Sequence, residues 1–442
     1  MLSLLKMLLR DRAGNFGMMT ALLAVPLTGA AGLAIDFTHA LALRTQLHAA
    51  ADAAAVGAIS EKSKAVAEAM AMQGDGTITV GSTDAEHVFR SQMHGEASEL
   101  PLALELSVTK NAGVIESRVA FSAVVPTTFM RVLGKDSMTI GGTATARYQT
   151  PAFLDFYMLL DNTPSMGVGA TPDDVEKLIK ETKNGTDGKG KDANCAFACH
   201  IVSTAGVEDK NSYYYLAKKI GATIRIDVVA EATAALMQTA KMTQTVPGQF
   251  RMSAYTFGES ALDTKLFTVS DPTTNFDAVS NATKAITLMS IPNHEYPNTQ
   301  TNYDAVLQAI DAKIKTTGNG TSTADRQSIL FFVADGVGDA AKKTCSRKLN
   351  GSNRCMEPVN PAECERLKAR GIKIAVLYTT YLPLKDNKFY MDWIWPFQNQ
   401  IPEKMQACAS PGYYFEVSLE QGIEDAMNAL FKKIVSSPRI TS

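Results

Sequence analysis

Hydrophobic positions fall into three successive regimes along the chain. Residues 16–35 form a run of twenty positions without a charged side chain, long enough as a helix to cross a hydrocarbon core of about 30 Å. Helical periodicity continues through Leu43, Leu47 and the alanine-rich stretch 49–58 to Met72, then breaks at Gln73-Gly74-Asp75-Gly76. The pattern next becomes a two-residue alternation rich in Val, Thr and Ser over 102–108, 114–124 and 138–147, which predicts a small strand-rich unit. Within it, 126–134, containing Phe129-Met130-Arg131-Val132-Leu133, predicts a short helix or turn packed on those strands. From residue 152 onward, apolar runs of strand length (153–160, 250–257, 328–334, 372–378) alternate with helix-length segments (213–243, 276–289, 302–315, 361–370, 417–434). That alternation predicts an α/β fold with a mainly parallel, doubly wound, Rossmann-like sheet. The stretches 167–211 and 339–360 break the rhythm and are expected to be surface insertions.

The expected organisation is a cytoplasmic N-terminus at 1–15, a transmembrane helix at 16–35, a helical stalk at 36–73, a small β-rich unit at 74–150 and the α/β domain at 151–442. Lys6, Arg10 and Arg12 precede the span against a single Asp11, while Asp36 and the isolated Arg44 follow it. The positive-inside rule therefore leaves the N-terminus in the cytoplasm and exports everything after Ile35. A cleaved signal peptide is the competing reading. Gly29-Ala30-Ala31-Gly32 favours it, and the length of the apolar run and the helical pattern continuing through it oppose it.

Composition narrows the function classes. With 45% hydrophobic and 20% charged residues the chain is globular in type, neither disordered nor multi-spanning. Its net charge of -2 gives no drive toward nucleic acid. All six cysteines, Cys195, Cys199, Cys345, Cys355, Cys364 and Cys408, follow the span, where an oxidising compartment suits three disulfides; the closeness of Cys195 to Cys199 suggests one pair, and the insertions are expected to be stapled.

Candidate chemistry gathers at predicted strand ends. In open α/β sheets ligands bind beyond the carboxyl ends of the strands, where Asp161 follows the run Phe156-Tyr157-Met158-Leu159-Leu160. Asp161-Asn162-Thr163-Pro164-Ser165 alternates oxygen-bearing side chains at two-residue spacing, a pattern that can converge on one hard cation and that also occurs in ordinary turns and helix caps. Two further pieces lie on loops at the same edge: Asn298-Thr299-Gln300-Thr301 before a predicted helix, and Asp335-Gly336 closing the apolar run Phe331-Phe332-Val333-Ala334.

This ordered set resembles the metal-ion-dependent adhesion site of the von Willebrand factor A family. The resemblance implies that Thr163, Ser165 and Thr299 contact Mg²⁺ (or Mn²⁺ or Ca²⁺) through hydroxyls while Asp161 and Asp335 hold its waters, Thr301 being the alternative to Thr299. A sixth position would remain open to a partner's acidic side chain. Thr163 stands where that family usually has serine and keeps the hydroxyl, and Pro164 stands where glycine is frequent and stiffens the loop. Binding is implied, with no catalytic residue and no small-molecule substrate. Arg12-Ala13-Gly14-Asn15-Phe16, the span, Gly32-Leu33-Ala34-Ile35-Asp36 and the stretch from Gln46 to Ala55, together about residues 8–60, resemble the N-terminal segment of TadG-type tight-adherence (Flp) pilus assembly proteins, which often precedes a von Willebrand factor A domain. That likeness implies a single-pass inner-membrane protein with a periplasmic domain that contacts other pilus-assembly or envelope proteins.

Competing readings are a Mg-dependent phosphohydrolase using Asp161 as nucleophile and an envelope scaffold with a non-functional metal site. The first needs a helper acid where haloacid-dehalogenase-like phosphatases place a second aspartate; here that position is Thr163. Cys195-Ala196-Phe197-Ala198-Cys199-His200 has one residue too many for haem attachment, and His200 is expected at the surface of a solvated insertion. The six histidines show no paired metal-binding spacing. The aromatic stretch 390–397 is either packed core or an exposed contact patch.

Overall fold

The computed structural model describes residues 14–72, 74–185, 193–293, 301–345, 348–349, 354–381, 383–385, 387, 389–417 and 422–436. The basic cluster before the span therefore lies outside the described residues. The chain divides into two compact units, Met1–Thr150 and Pro151–Ser442.

In the first unit a single helix, α1, runs from Gly14 to Ala58. Its N-terminal half exposes Met19, Leu22, Leu23, Val25 and Leu27, and this apolar helix fits a single-pass membrane anchor. Its C-terminal half presents Leu43, Leu47, Ala50, Ala51, Ala54 and Ala55 to a core shared with Phe89, Val119, Phe121 and Ile140. The small alanine side chains let the helix approach closely an antiparallel sheet of β1 (Gly76–Thr77), β2 (Leu102–Asn111), β3 (Val114–Pro126) and β4 (Ser137–Gln149), in that order. Burial alternates along β3, the signature of a sheet with one face on a core. Ser63 ends the break after α1 by capping the helix Lys64–Ala71, its side chain accepting the Val66 N–H at 3.2 Å. The helical segment and the strand-rich unit, read from sequence as successive elements, thus fold around one core. The segment 126–134 departs from expectation. Its turn Met130–Leu133 lies against α1, and Val132 and Leu133 are exposed rather than packed on the strands.

The second unit is the predicted doubly wound sheet. It comprises β5 (Leu154–Leu160), β6 (Phe250–Thr256), β7 (Phe267–Thr273), β8 (Gln327–Ala334), β11 (Lys373–Thr379) and β12 (Tyr414–Val417) in the order β12-β11-β8-β5-β6-β7. All neighbours are parallel except β7. All seven residues of β5 are buried, which is why the strand reads as an unbroken apolar run. Phe156, Met158 and Leu160 face the helices Arg225–Thr243, Phe276–Lys284 and Ile423–Ser436. Tyr157 and Leu159 face Tyr303–Lys313, Ala362–Ala369 and Ile401–Cys408.

Three element assignments change. The single helix expected over 213–243 is two, Tyr213–Lys219 and Arg225–Thr243, because the chain turns at Gly221 with φ +65°. The closing segment opens with β12 before its helix. The edge strand β7 escaped the sequence pattern because it is only half-buried and carries Asp271 and Pro272. In the insertion at 339–360, β9 (Val337–Ala341) and β10 (Arg354–Pro358) form a hairpin bridged by Cys345–Cys355, and Cys364–Cys408 joins two helices. A Cys195–Cys199 bond is not among the disulfides of the described residues. His200 is packed rather than at the surface: its ring stacks on Tyr214 at 4.3 Å and its nitrogens meet the Leu288 carbonyl and Glu208. In the aromatic stretch, Tyr390, Ile394 and Phe397 are core while Trp395 remains half-exposed.

Candidate metal centre

The chain places β5 between β6 and β8, so the loops after β5 and β8 diverge at a topological switch point. Leu160 pairs with Val333 across the two strands, and the Asp161 N–H continues the ladder by donating to the Val333 carbonyl at 2.9 Å. Asp161 and Asp335 therefore emerge side by side at the carboxyl edge. The loop after Asp161 is held by Asn162, whose amide group donates to the Gly258 and Thr287 carbonyls at 2.8 and 3.2 Å and accepts the Phe257 N–H at 3.1 Å. Pro164 then starts the tight turn Pro164–Gly167, where its fixed φ suits the first position. With Asn162 turned into the protein, Thr163 and Ser165 share the other side, their hydroxyls 3.3 Å apart.

Both carboxylates are fully buried. Asp161 Oδ1 accepts the Thr163 N–H at 2.9 Å and the Thr163 hydroxyl at 2.7 Å. Asp335 Oδ1 accepts the Val337 N–H at 3.0 Å. Two residues that sequence reasoning did not flag complete the arrangement. The Tyr303 hydroxyl, at the start of its helix, donates to Asp161 Oδ2 at 2.7 Å, lies 3.5 Å from Asp335 Oδ1 and accepts the Gly336 N–H at 3.1 Å. Arg225, 1% exposed, brings a guanidinium nitrogen to 4.0 Å from Asp335 Oδ2 and donates from another to the Thr380 carbonyl at 2.9 Å. A signal for Arg225 existed in its place between Ile224 and Ile226, since a charge inside an apolar stretch is seldom buried without a partner. Tyr303 carried none, because an aromatic at a helix start ordinarily reads as core. Gly336 has φ +76°, and a Cβ there would lie 2.6 Å from Ile401 Cγ2, so the turn after Asp335 requires glycine.

The electrostatics follow from burial. Desolvation, reinforced by the neighbouring Asp335 and opposed by the Thr163 and Tyr303 hydrogen bonds, pushes Asp161 up to about 7. Asp335 is also raised by burial, against the pull of Arg225 and the Ser165 hydroxyl. Burial lowers Arg225, against the attraction of Asp335.

The geometry brings together Asp161, Thr163, Ser165 and Asp335. Thr299 lies outside the described residues; Thr301 is buried, and its backbone pairs with Asp339 through two hydrogen bonds of 2.9 Å. Among the described residues no group of three or more His, Cys, Asp or Glu side chains is placed to hold a metal, so a cation here would need hydroxyl ligands. The donor set meets that need. It is all oxygen, it combines two carboxylates with two hydroxyls, and Asp335 Oδ2 is buried with no hydrogen-bond partner among the described residues. Hard divalent cations favour such a set.

Residues 14–71, which span α1 and the helix after it, match the family model described as Tad, putative Flp pilus-assembly TadE/G-like. Among solved structures, the chain is similar to the vWF domain of the type V pili tip protein Mfa5 from Porphyromonas gingivalis, with 9% identity, coverage of 66% of this chain and 99% of that one, and a TM-score of 0.35. It is also similar to the three N-terminal domains of Mfa5 (10% identity, 74% and 54% coverage, TM-score 0.33) and to proximal thread matrix protein 1 from the mussel byssus (11%, 65% and 48%, TM-score 0.31). The chain spans about half the length of these last two. The doubly wound assignment rests on the strand order itself rather than on these likenesses. No curated protein matches the chain in sequence.

Proposed function

We propose that this chain is a single-pass component of tight-adherence (Flp) pilus assembly, anchored in the inner membrane with its second unit in the periplasm, and that this unit binds a pilus or envelope protein through a divalent-metal-dependent adhesion site. The pilus assignment is supported by the match of residues 14–71 to TadE/G-like proteins. The carrying observation for the site is the buried Asp161–Asp335 pair at the switch point, with the Thr163 and Ser165 hydroxyls beside it and Asp335 Oδ2 without a hydrogen-bond partner among the described residues. Asp161, Thr163, Ser165, Asp335 and Thr299 would hold Mg²⁺, Mn²⁺ or Ca²⁺, and the bound ion would offer an open coordination position to an acidic side chain of the partner. No bond-making is assigned. Thr163 stands where a phosphoryl-transferring aspartate would need its helper acid, and its hydroxyl donates into Asp161 instead.

A second reading is favoured by one observation: the Tyr303 hydroxyl already bridges the two carboxylates, and Arg225 already lies beside them. On that reading the site is a metal-free structural joint and the unit is a scaffold. Calorimetric titration of Mg²⁺ into the full chain in detergent, followed by capture of envelope proteins with Mg²⁺ or EDTA, separates the two. Metal binding and metal-dependent capture, both lost in a folded Asp161→Ala protein, are expected. Capture that ignores metal and mutation alike would leave the scaffold.

A further inference from the structure

The turn between β3 and β4 leaves an apolar tip that the proposed metal site does not use. Phe129, Val132 and Leu133 are 47%, 88% and 62% exposed. Single exposed apolar residues are ordinary, whereas three large ones within five positions call for a partner. The turn is fastened to α1. The Asp36 carboxylate accepts the backbone N–H groups of Thr128, Phe129 and Met130 at 3.0, 2.8 and 2.6 Å. Phe129 lies over Gly32, where a Cβ would come within 2.6 Å of Phe129 Cβ. Gly32 precedes Asp36 by about one helical turn, roughly 6 Å at 1.5 Å per residue, so the turn reaches the level of the last turn of the apolar run 16–35.

Three features identify the occupant as lipid. The tip continues the apolar surface of α1, where Leu33, Ile35 and Phe37 are exposed at the same level. Arg131 within the tip and Lys135 just after it are both exposed, Arg131 lying 3.4 Å from the exposed Asp136, and long basic side chains with apolar stems suit the headgroup layer. The amides at the start of the turn are satisfied by a carboxylate rather than by water, which is the condition for backbone to approach hydrocarbon.

We propose that the 129–133 turn is a second membrane contact, entering the headgroup–acyl boundary where the span leaves the bilayer, with Val132 and Leu133 toward the acyl chains and Arg131 and Lys135 among the headgroups. It rests on the reading of 16–35 as a span. Together the two contacts fix the rotation and depth of the first unit, which a lone helix leaves free.

The test uses the full chain with Trp393 and Trp395 replaced by Phe and a single tryptophan introduced as Leu133→Trp, Leu23→Trp or Met242→Trp. Each is reconstituted in phosphatidylethanolamine–phosphatidylglycerol vesicles with or without brominated phosphatidylcholine. Position 23 lies in the span, and Met242 is 79% exposed on the second unit. The expected result is severalfold quenching at 133 by lipids brominated near the headgroup, quenching at 23 by deeper bromines, and none at 242. Quenching at 23 but not at 133 overturns the proposal and leaves the span standing. Shielding of position 133 from acrylamide without quenching by bromolipid means that protein covers the tip, and also overturns it. Absence of quenching at 23 removes the span and the proposal with it.

Discussion

Each unit contains a buried carboxylate site, and the two are built in opposite ways. Asp36 accepts three backbone N–H groups from one turn, so its charge is met by fixed dipoles and its role is complete without a ligand. Desolvation raises both Asp161 and Asp335, the neighbouring Asp335 raises Asp161 further, and one oxygen of Asp335 has no hydrogen-bond partner among the described residues. A carboxylate satisfied by backbone amides holds a fold together. A pair left short of positive charge is poised for a cation. The contrast lies in what each oxygen meets, since all three residues are almost entirely buried.

The largest expected effect breaks or keeps that contrast directly. Asp161→Asn or Asp335→Asn should weaken Mg²⁺ binding to the full chain by about 10- to 100-fold, whereas Asp36→Asn should leave it unchanged, all by titration calorimetry. Equal affinities in all three proteins would show that what these oxygens meet does not mark out a cation site. The converse experiment is Asp36→Ala, followed by hydrogen exchange. The amides of Thr128, Phe129 and Met130 should exchange at least about tenfold faster, because each loses a charge-assisted acceptor, while exchange in the second unit stays as in the parent. Unaltered exchange in the turn would mean that Phe129 packing on Gly32 holds it without the carboxylate.

Stability in EDTA reads the same difference through pH. Asp161 moves from an ordinary 3.8 to about 7 in the folded chain, so between these values the metal-free folded state binds more protons than the unfolded one. Unfolding free energy must then fall as pH rises from about 4 to about 7. Asp161→Asn removes the buried charge and should flatten that slope, raising metal-free stability at neutral pH by roughly 1–3 kcal/mol. A thermal melt that is flat with pH in the parent would exclude the strained pair. Saturating Mg²⁺ should reduce the slope as well, since the ion stabilises the ionised form.

What the sequence revealed and what it hid follow the same physics. Asp161 and Asp335 were legible because each ends a strand buried on both faces, and an apolar run stopping at an acid is a one-dimensional pattern. Thr163 and Ser165 were legible because their spacing is local. Tyr303 was not, and for Arg225 only its burial was signalled, by its place between Ile224 and Ile226; each reaches the site from its own helix, and its destination is decided by tertiary packing. The role of Asp36 was hidden for the same reason, since the backbone N–H donors it accepts from are more than ninety positions away. The sheet order was legible only as alternation; β7 and the break at Gly221 depended on how much of each segment the core would cover.

The smallest expected effect is the one that decides between an adhesion site and a structural joint. The Tyr303 hydroxyl donates to Asp161 Oδ2 and receives the Gly336 N–H, so it occupies acceptor capacity that an incoming cation or its waters would need. If the pair exists to hold metal, this hydroxyl is a competitor that binding must displace, and Tyr303→Phe should tighten Mg²⁺ binding by about fivefold, the equivalent of the ~1 kcal/mol net worth of one hydrogen bond. The same substitution should lower metal-free stability at neutral pH, because the lost donor had favoured ionised Asp161. Opposite signs with and without metal are the mark of a site whose empty state is provisionally closed by tyrosine. A Tyr303→Phe protein that is destabilised in EDTA and gains no affinity for Mg²⁺ would identify the tyrosine bridge, rather than a metal, as what the two carboxylates were built around.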